Sequence, residues 1–261
     1  VHRCTGVGKC RAGSRATGGV MCPSFEATHD EKDSTRGRAR VLQDAMEGRL
    51  GPNIWGNAEL KDVLDLCLSC RGCSSDCPTG VDIATYKSEV LHQIYRRKIR
   101  PRSHYTLGRL PSWNKVAGIS PAVSNAILHS PVSNLMKRAA GVDVRRSLPT
   151  FAKKTFRSQF VSTNDSAVSG TVMVWVDPFT DRFAPEVGLA TVRVLEAAGY
   201  NVVLSPKNAG CALTWISTGQ LEHARKIARK TVSLLAPTAK AGIKIVGIEP
   251  SSTAVLRADI N

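Results

Sequence analysis

The hydrophobic pattern of the chain changes period along its length. Up to about residue 110, apolar positions recur at steps of three and four, the signature of one-sided helices. Ser34-Thr35 can cap a helix with Ala39, Leu42 and Met46 on one face, stopped by Gly48 or Gly51 before Pro52. Asn57 can cap a second helix, with Leu60, Val63, Leu64, Cys67 and Leu68 on one face. Asp82 can cap a third, striped by Ile83, Tyr86, Val90 and Ile94, with Arg96, Arg97 and Lys98 in its last turn. Residues 111–168 are broken by Pro111, Pro121, Pro131 and Pro149 into short apolar pieces, and Phe160 to Gly170 reads as a linker. From residue 169 a βαβαβ alternation is expected. Thr171–Val176, Val202–Leu204 and Ile243–Ile248 read as strands. The helices between them carry Val187, Ala190, Val194, Leu195 and Ala198, then Leu221, Ala224, Ala228, Val232 and Leu235. Such an alternation predicts a parallel sheet covered by helices.

The expected architecture is a two-part α+β chain. An all-α module over 1–110 is joined by a helical connector over 111–168 to a three-layer α/β domain over 169–261. The 261 residues and the 42% apolar fraction exclude a disordered chain, a collagen and a small disulfide scaffold. No apolar run approaches the roughly 20 residues of a bilayer span. Neither end resembles a natural terminus, so the sequence is expected to be a segment of something longer. The net charge of +15 invites a nucleic-acid reading, but the basic residues are scattered and aromatics are only 5%. Nucleic acid is therefore not expected as a partner. Solvated helix faces, bound anionic clusters and an acidic partner surface remain as readings of the charge. No dinucleotide fingerprint or phosphate loop accompanies the strands.

The cysteines carry the chemistry. Seven of eight lie within the first 77 residues: Cys4, Cys10, Cys22, Cys67, Cys70, Cys73 and Cys77. The last four form C-x2-C-x2-C-x3-C-P, the run of bacterial ferredoxins. Three thiolates two residues apart can wrap one cube, while the fourth is carried past it toward a second site. Cys22-Pro23 repeats the Cys-Pro ending of the run, and this pseudo-symmetry predicts an exchange of ligands. Cys67, Cys70 and Cys73 would take Cys22; Cys4 and Cys10 would take Cys77. The first set suits a [4Fe-4S] cluster. The second, with three thiolates, suits a [3Fe-4S] cluster or a [4Fe-4S] cluster with a non-cysteine or open site. His2 is near in sequence but reads as a solvated residue. An odd count and cramped spacing argue against disulfides, and one zinc would leave three cysteines idle. The helices bringing Cys-Pro ends together describe an α-helical ferredoxin module. Arg11, Arg36, Arg38 and Arg71 lie near ligands in sequence, where they could stabilise a reduced cluster or be ordinary surface residues.

Arg3-Cys4 to Cys10-Arg11, Gly19-Val-Met-Cys22-Pro-Ser, Ser34 to Ala39 and Cys67 to Pro78 resemble the iron-sulfur half of fused FAD-linked dehydrogenases of D-2-hydroxy acids. The chain is also similar to the glycolate oxidase iron-sulfur subunit and the iron-sulfur subunit of anaerobic glycerol-3-phosphate dehydrogenase. The segments Cys211 to Leu221 and Gly247 to Ala254 resemble the cysteine-rich CCG domain of heterodisulfide-reductase-like proteins. That pattern has cysteines where this chain has Gly210 and Ser252, so no cluster is expected there. Lone Cys211 reads as a buried small residue or a residual redox thiol. The order of motifs is the reverse of that in the succinate dehydrogenase iron-sulfur subunit, which it otherwise resembles in ligand number.

The resemblance implies electron transfer from FAD, bound on another domain of the same or a partner chain, to a quinone or other carrier. It implies no catalytic residue in this segment. A cytoplasmic location is expected, with peripheral association at the inner face of the membrane as a variant. The alternatives are a separate iron-sulfur subunit that docks a flavoprotein, and a structural or redox-sensing metal module.

Overall fold

The computed structural model describes residues 2–12, 21–162 and 169–259. Parts of the motif around Gly19 and of the expected linker, residues 163–168, lie outside the described residues. The chain divides into two compact units, Val1–Ile99 with Ser217–Gln220, and Arg100–Ile216 with Leu221–Asn261.

The first unit is helical. Its elements are α1 (Pro23–Thr28), α2 (Thr35–Met46), α3 (Ala58–Asp65), α4 (Gly72–Asp76) and α5 (Ile83–Ile94). The three expected caps form. Ser34 Oγ accepts from Gly37 N at 2.9 Å, Asn57 Oδ1 from Glu59 N at 2.8 Å, and Asp82 Oδ1 from Thr85 N at 3.1 Å. Each satisfies an amide that the first helical turn leaves without a partner. Gly37 is required by close approach, because a Cβ there would sit 2.0 Å from the Glu31 carbonyl oxygen.

The core of this unit gathers Leu42, Leu60, Val63, Leu64, Ile83, Val90 and Ile94 with Cys10, Cys22 and Cys73. Two expected core positions fall outside it. Met46 and Leu68 are 55% and 69% exposed. Ala45, at 1%, continues the α2 stripe in place of Met46, and α3 ends at Asp65, which releases Leu68 from its helical face.

The second unit holds the sheet. Short helices α6 (Arg102–Thr106), α7 (Leu110–Ala117), α8 (Pro121–Leu128), α9 (Ser133–Ala140) and α10 (Phe156–Gln159) precede β1 (Thr171–Trp175). There follow α11 (Pro178–Phe183), α12 (Pro185–Ala197), β2 (Asn201–Leu204), α13 (Leu221–Lys240), β3 (Lys244–Gly247) and α14 (Pro250–Ala254). The three strands are parallel in the order β2-β1-β3, with Val172 opposite Val202 and Lys244. Central β1 is buried almost throughout, which its unbroken apolar run requires.

On α12 the buried face differs from the expected one. Val187 and Val194 are exposed, whereas Gly188 and Val192 turn inward and Leu195 is packed against the core. A Cβ on Gly188 would lie 2.7 Å from the ring of fully buried Phe156, so ring and helix backbone are in direct contact. On α13, Thr231 takes the buried position beside Ala224 and Leu235, while Val232 is exposed. No helix among the described residues is long and apolar enough to cross a membrane.

The excess charge is unevenly divided. Residues 1–99 hold 15 basic and 12 acidic side chains, leaving 21 and 9 for residues 100–261. The cysteine-bearing unit therefore carries only +3, and +12 belongs to the sheet-bearing unit. Clusters bound in the first unit leave that larger excess unexplained.

Candidate metal centre

The seven amino-terminal cysteines of the first unit lie in loops and in short helical turns. Cys10 sits in a one-turn 3-10 helix (Lys9–Arg11) entered through Gly8 at φ 76°. Cys22 immediately precedes α1, Cys67 follows α3, and Cys73 lies within α4, which Cys77 terminates. Ser69 and Arg71 take φ of 54° and 60°, the left-handed region. These two reversals alternate with the cysteines, curling Cys67 to Cys73 around a concave wall. All eight cysteines are unpaired with one another.

The thiols line two openings. One is lined by Cys22, Cys67, Cys70 and Cys73. The other is lined by Cys4, Cys10 and Cys77. Among the described residues, no three histidine, cysteine or carboxylate side chains converge closely enough to hold one metal ion. A structural zinc would need four ligand atoms about 2.0–2.3 Å from a single centre. Thiols spread around the wall of an opening suit a larger inorganic cluster, and soft thiolates are the ligands that iron-sulfur clusters select.

Hydrogen-bond donors approach the sulfurs. Arg38 Nη1 donates to Cys22 Sγ at 3.4 Å, and Ile83 N donates to Cys73 Sγ at 3.4 Å. The Thr79 hydroxyl lies 3.3 Å from Cys77 Sγ. Burial raises the Cys77 thiol, but Thr79 and the backbone N–H groups of Val81, Thr79 and Gly80 outweigh it, and the net shift is downward. Burial dominates at Cys73, which is pushed up to about 11. It also raises Cys10, partly offset by the Arg36 backbone N–H. Buried thiols of this kind stay protonated at neutral pH unless a metal takes the proton's place.

The four arginines named from sequence separate clearly. Arg11 and Arg36 pair with Glu31 at 2.9 and 2.7 Å, and the hydrogen bond from Arg36 leads in holding that carboxyl below its usual range. Arg71 pairs with Asp82 at 3.4 Å. Arg38 is 1% exposed. Its Nε donates to the Val63 carbonyl at 2.7 Å, and its Nη2 to Ser24 Oγ at 3.1 Å and Asp33 Oδ1 at 3.5 Å. It therefore places a buried cation against a thiol. Lys87 carries no comparable signal in the sequence. Its Nζ donates to the carbonyls of Cys67 and Asp65 at 2.7 and 3.1 Å, and burial lowers its pKa.

In the second unit, Cys211 is 2% exposed and accepts from Leu213 N at 3.4 Å. Burial pushes its thiol up to about 11, tempered by the fully buried Ser252 hydroxyl. One thiol and one hydroxyl form a poor ligand set for iron.

Residues 1–81 match the 4Fe-4S dicluster domain family. The chain is 26% identical to the D-2-hydroxyglutarate dehydrogenase of Escherichia coli K12, over 88% of this chain and 27% of that protein. It is 22% identical to the glycolate oxidase iron-sulfur subunit of the same organism, over 87% of this chain and 52% of that protein. Over 53% of its length it is 29% identical to one component of the anaerobic glycerol-3-phosphate dehydrogenase of that organism, covering 36% of that component. The chain thus spans little more than a quarter of the dehydrogenase it matches. No solved structure matches it. Residues 1–81 thus match a family of 4Fe-4S dicluster domains, which supports at least one iron-sulfur cluster, on a chain similar to the D-2-hydroxyglutarate dehydrogenases and the glycolate oxidase iron-sulfur subunits.

Proposed function

We propose that this chain is the electron-transfer segment of a flavin-dependent dehydrogenase of D-2-hydroxy acids. Cys22, Cys67, Cys70 and Cys73 would hold one [4Fe-4S] cluster. Cys4, Cys10 and Cys77 would hold a second, of [3Fe-4S] or [4Fe-4S] type. The carrying observation is the sorting of seven thiols into two openings, with Cys77 of the tight run facing Cys4 and Cys10.

Bound clusters would supply one-electron acceptors between a flavin and a downstream quinone or other carrier. The chain's own work is to hold, shield and tune them. Leu60, Leu64 and Ile83 keep water from the thiols. Arg38 and the amides aimed at sulfur favour added negative charge. The flavin would reside on another domain or on a partner chain. Helical-ferredoxin and CCG-like describe the two units best, the second having lost the thiols for a cluster of its own.

Anaerobic reconstitution with iron and sulfide tests the reading. About seven to eight irons per chain and two distinguishable paramagnetic signals are expected, each [4Fe-4S] cluster giving its signal on reduction and a [3Fe-4S] cluster giving its signal in the oxidised protein. Fewer than about four irons, or a protein that retains zinc and shows no reducible signal, would overturn it.

A further inference from the structure

The second unit contains a cavity of about 690 Å³ that the clusters do not use. It lies beyond the carboxyl ends of β1 and β2, between the segment that opens at Val176 and the segment Lys207–Cys211. That edge of a parallel sheet is where ligands bind in α/β folds, and the volume falls in the range of small-molecule sites.

Its walls are cationic. Arg157, Arg182, Lys115, Lys207 and Lys230 line it, against two acids. Both acids accept backbone N–H groups, although the second oxygen of Asp177, Oδ2, is buried without a hydrogen-bond partner among the described residues. Asp177 Oδ1 accepts from Phe179 N and Thr180 N at 2.9 Å each, and Asp181 Oδ1 accepts from Arg157 N at 3.0 Å. The Arg157 guanidinium is held by neutral acceptors, the Ser205 carbonyl at 2.6 Å and the Ser205 hydroxyl at 3.1 Å. Its charge is fixed in place without a carboxylate within ion-pair distance among the described residues. Among the described residues the only carboxylate near the Arg182 side chain is that of Asp181, at 4.0 Å. Lys115, Lys207 and Lys230 have no ion-pair partner among the described residues.

Like charges converging on a concave, partly buried surface repel one another and cost stability unless something anionic joins them. This cavity sits in the unit that carries +12 of the +15 net charge. We infer that it binds a small molecule bearing two or more oxyanion groups, carboxylate or phosphate, with Arg157 and Arg182 as the fixed anchors and the three lysines closing on it. Concavity and size favour a small molecule over the extended groove that a nucleic-acid strand would need. The inference stands apart from the cluster assignment, since no cysteine ligand of the first unit lines the cavity.

Isothermal titration calorimetry on the intact 261-residue chain at low ionic strength tests it, with glutarate and inorganic phosphate as probes and glycerol as the uncharged control. Saturable binding of either anion at one site per chain is expected, with glycerol silent. Glutarate binding alone identifies carboxylate chemistry, and phosphate binding alone identifies phosphate chemistry. The exposed pair Lys207→Gln and Lys230→Gln should weaken binding roughly tenfold, ~1.4 kcal/mol. The pair Lys61→Gln and Lys98→Gln, neither of which lines the cavity, should leave it unchanged, with circular dichroism confirming that both variants fold. No saturable binding of either anion at ~10 mM would overturn the inference. Equal weakening by the two double variants would overturn it too, because it would mean diffuse attraction to a basic surface.

Discussion

Replacing Arg38 by Met removes the buried cation nearest the proposed ligand Cys22. The guanidinium is 3.4 Å from Cys22 Sγ. Adding one metal–sulfur bond places an electron on the cluster at ~6 Å from that charge. At an effective dielectric near 20, their attraction is ~2.8 kcal/mol, which for one electron corresponds to ~120 mV. Reduction adds negative charge, so losing the cation lowers the midpoint potential of this cluster and leaves the other nearly unmoved. Redox titration followed by electron paramagnetic resonance, under strictly anaerobic conditions, reads both midpoints in one sample. Folding suffers as well. Asp33, whose side chain is 2% exposed, would lose its cation, and breaking such a pair costs about 3–5 kcal/mol. Two companions keep the experiment decisive. Arg38→Lys retains the charge and should recover most of the potential, although it loses the fork that spans Val63, Ser24 and Cys22. Asp33→Asn removes the opposing carboxylate and should raise the potential. If Met and Lys variants both fold, load a cluster and share the unaltered protein's midpoint, the electrostatic role of Arg38 is refuted.

Cys22→Ser and Cys77→Ser should each abolish a different paramagnetic signal, Cys22 the one shared with Cys67, Cys70 and Cys73, and Cys77 the one shared with Cys4 and Cys10; loss of the same signal in both would refute the exchange. Gly37→Ala drives a methyl group into the Glu31 carbonyl, so denaturant titration should show a loss of ~2–3 kcal/mol or more. Cys211 has a folded-state pKa of about 11, above its unfolded value, so its contribution to stability is complete below about pH 8.5 and is lost as pH rises toward 11. The stability difference between the unaltered protein and Cys211→Ala should therefore shrink by about 2–3 kcal/mol over that window, and a difference independent of pH would contradict the burial argument.

What could be seen in the sequence was local. The caps Ser34, Asn57 and Asp82 act on amides two or three residues away, so their meaning is complete within a short window. The run from Cys67 to Pro78 is similar: its spacing alone limits which thiols can share an object. The parallel sheet followed from a change of period. What stayed hidden depends on contacts between distant segments. Val187 and Val194 fit a helical stripe as well as Gly188 and Val192 do, and only Phe156 on a separate helix decides between them. The four arginines near the cysteines are indistinguishable in one dimension. Asp33 and Val63 single out Arg38, while Arg11 and Arg36 share the carboxylate of Glu31. The cationic cavity is the extreme case, since Lys115, Arg157, Lys207 and Lys230 belong to four different segments.

These differences also constrain how the molecule divides its work. A cluster needs thiolates, a dry wall and a few donors, and the first unit supplies all three with nearly balanced charge. Balance matters there, because every uncompensated charge near a cluster shifts its potential. The second unit keeps a parallel sheet whose carboxyl edge has the shape of a ligand site, but it offers iron only Cys211 beside Ser252. Five of its cations line the cavity, where they would tighten the hold on a bound anion and could not tune a potential that the unit has no thiolates to create. The two units thus differ in the charge they tolerate for a physical reason: one would handle electrons, whose energy follows the local field, and the other would handle anions, whose binding the same field drives.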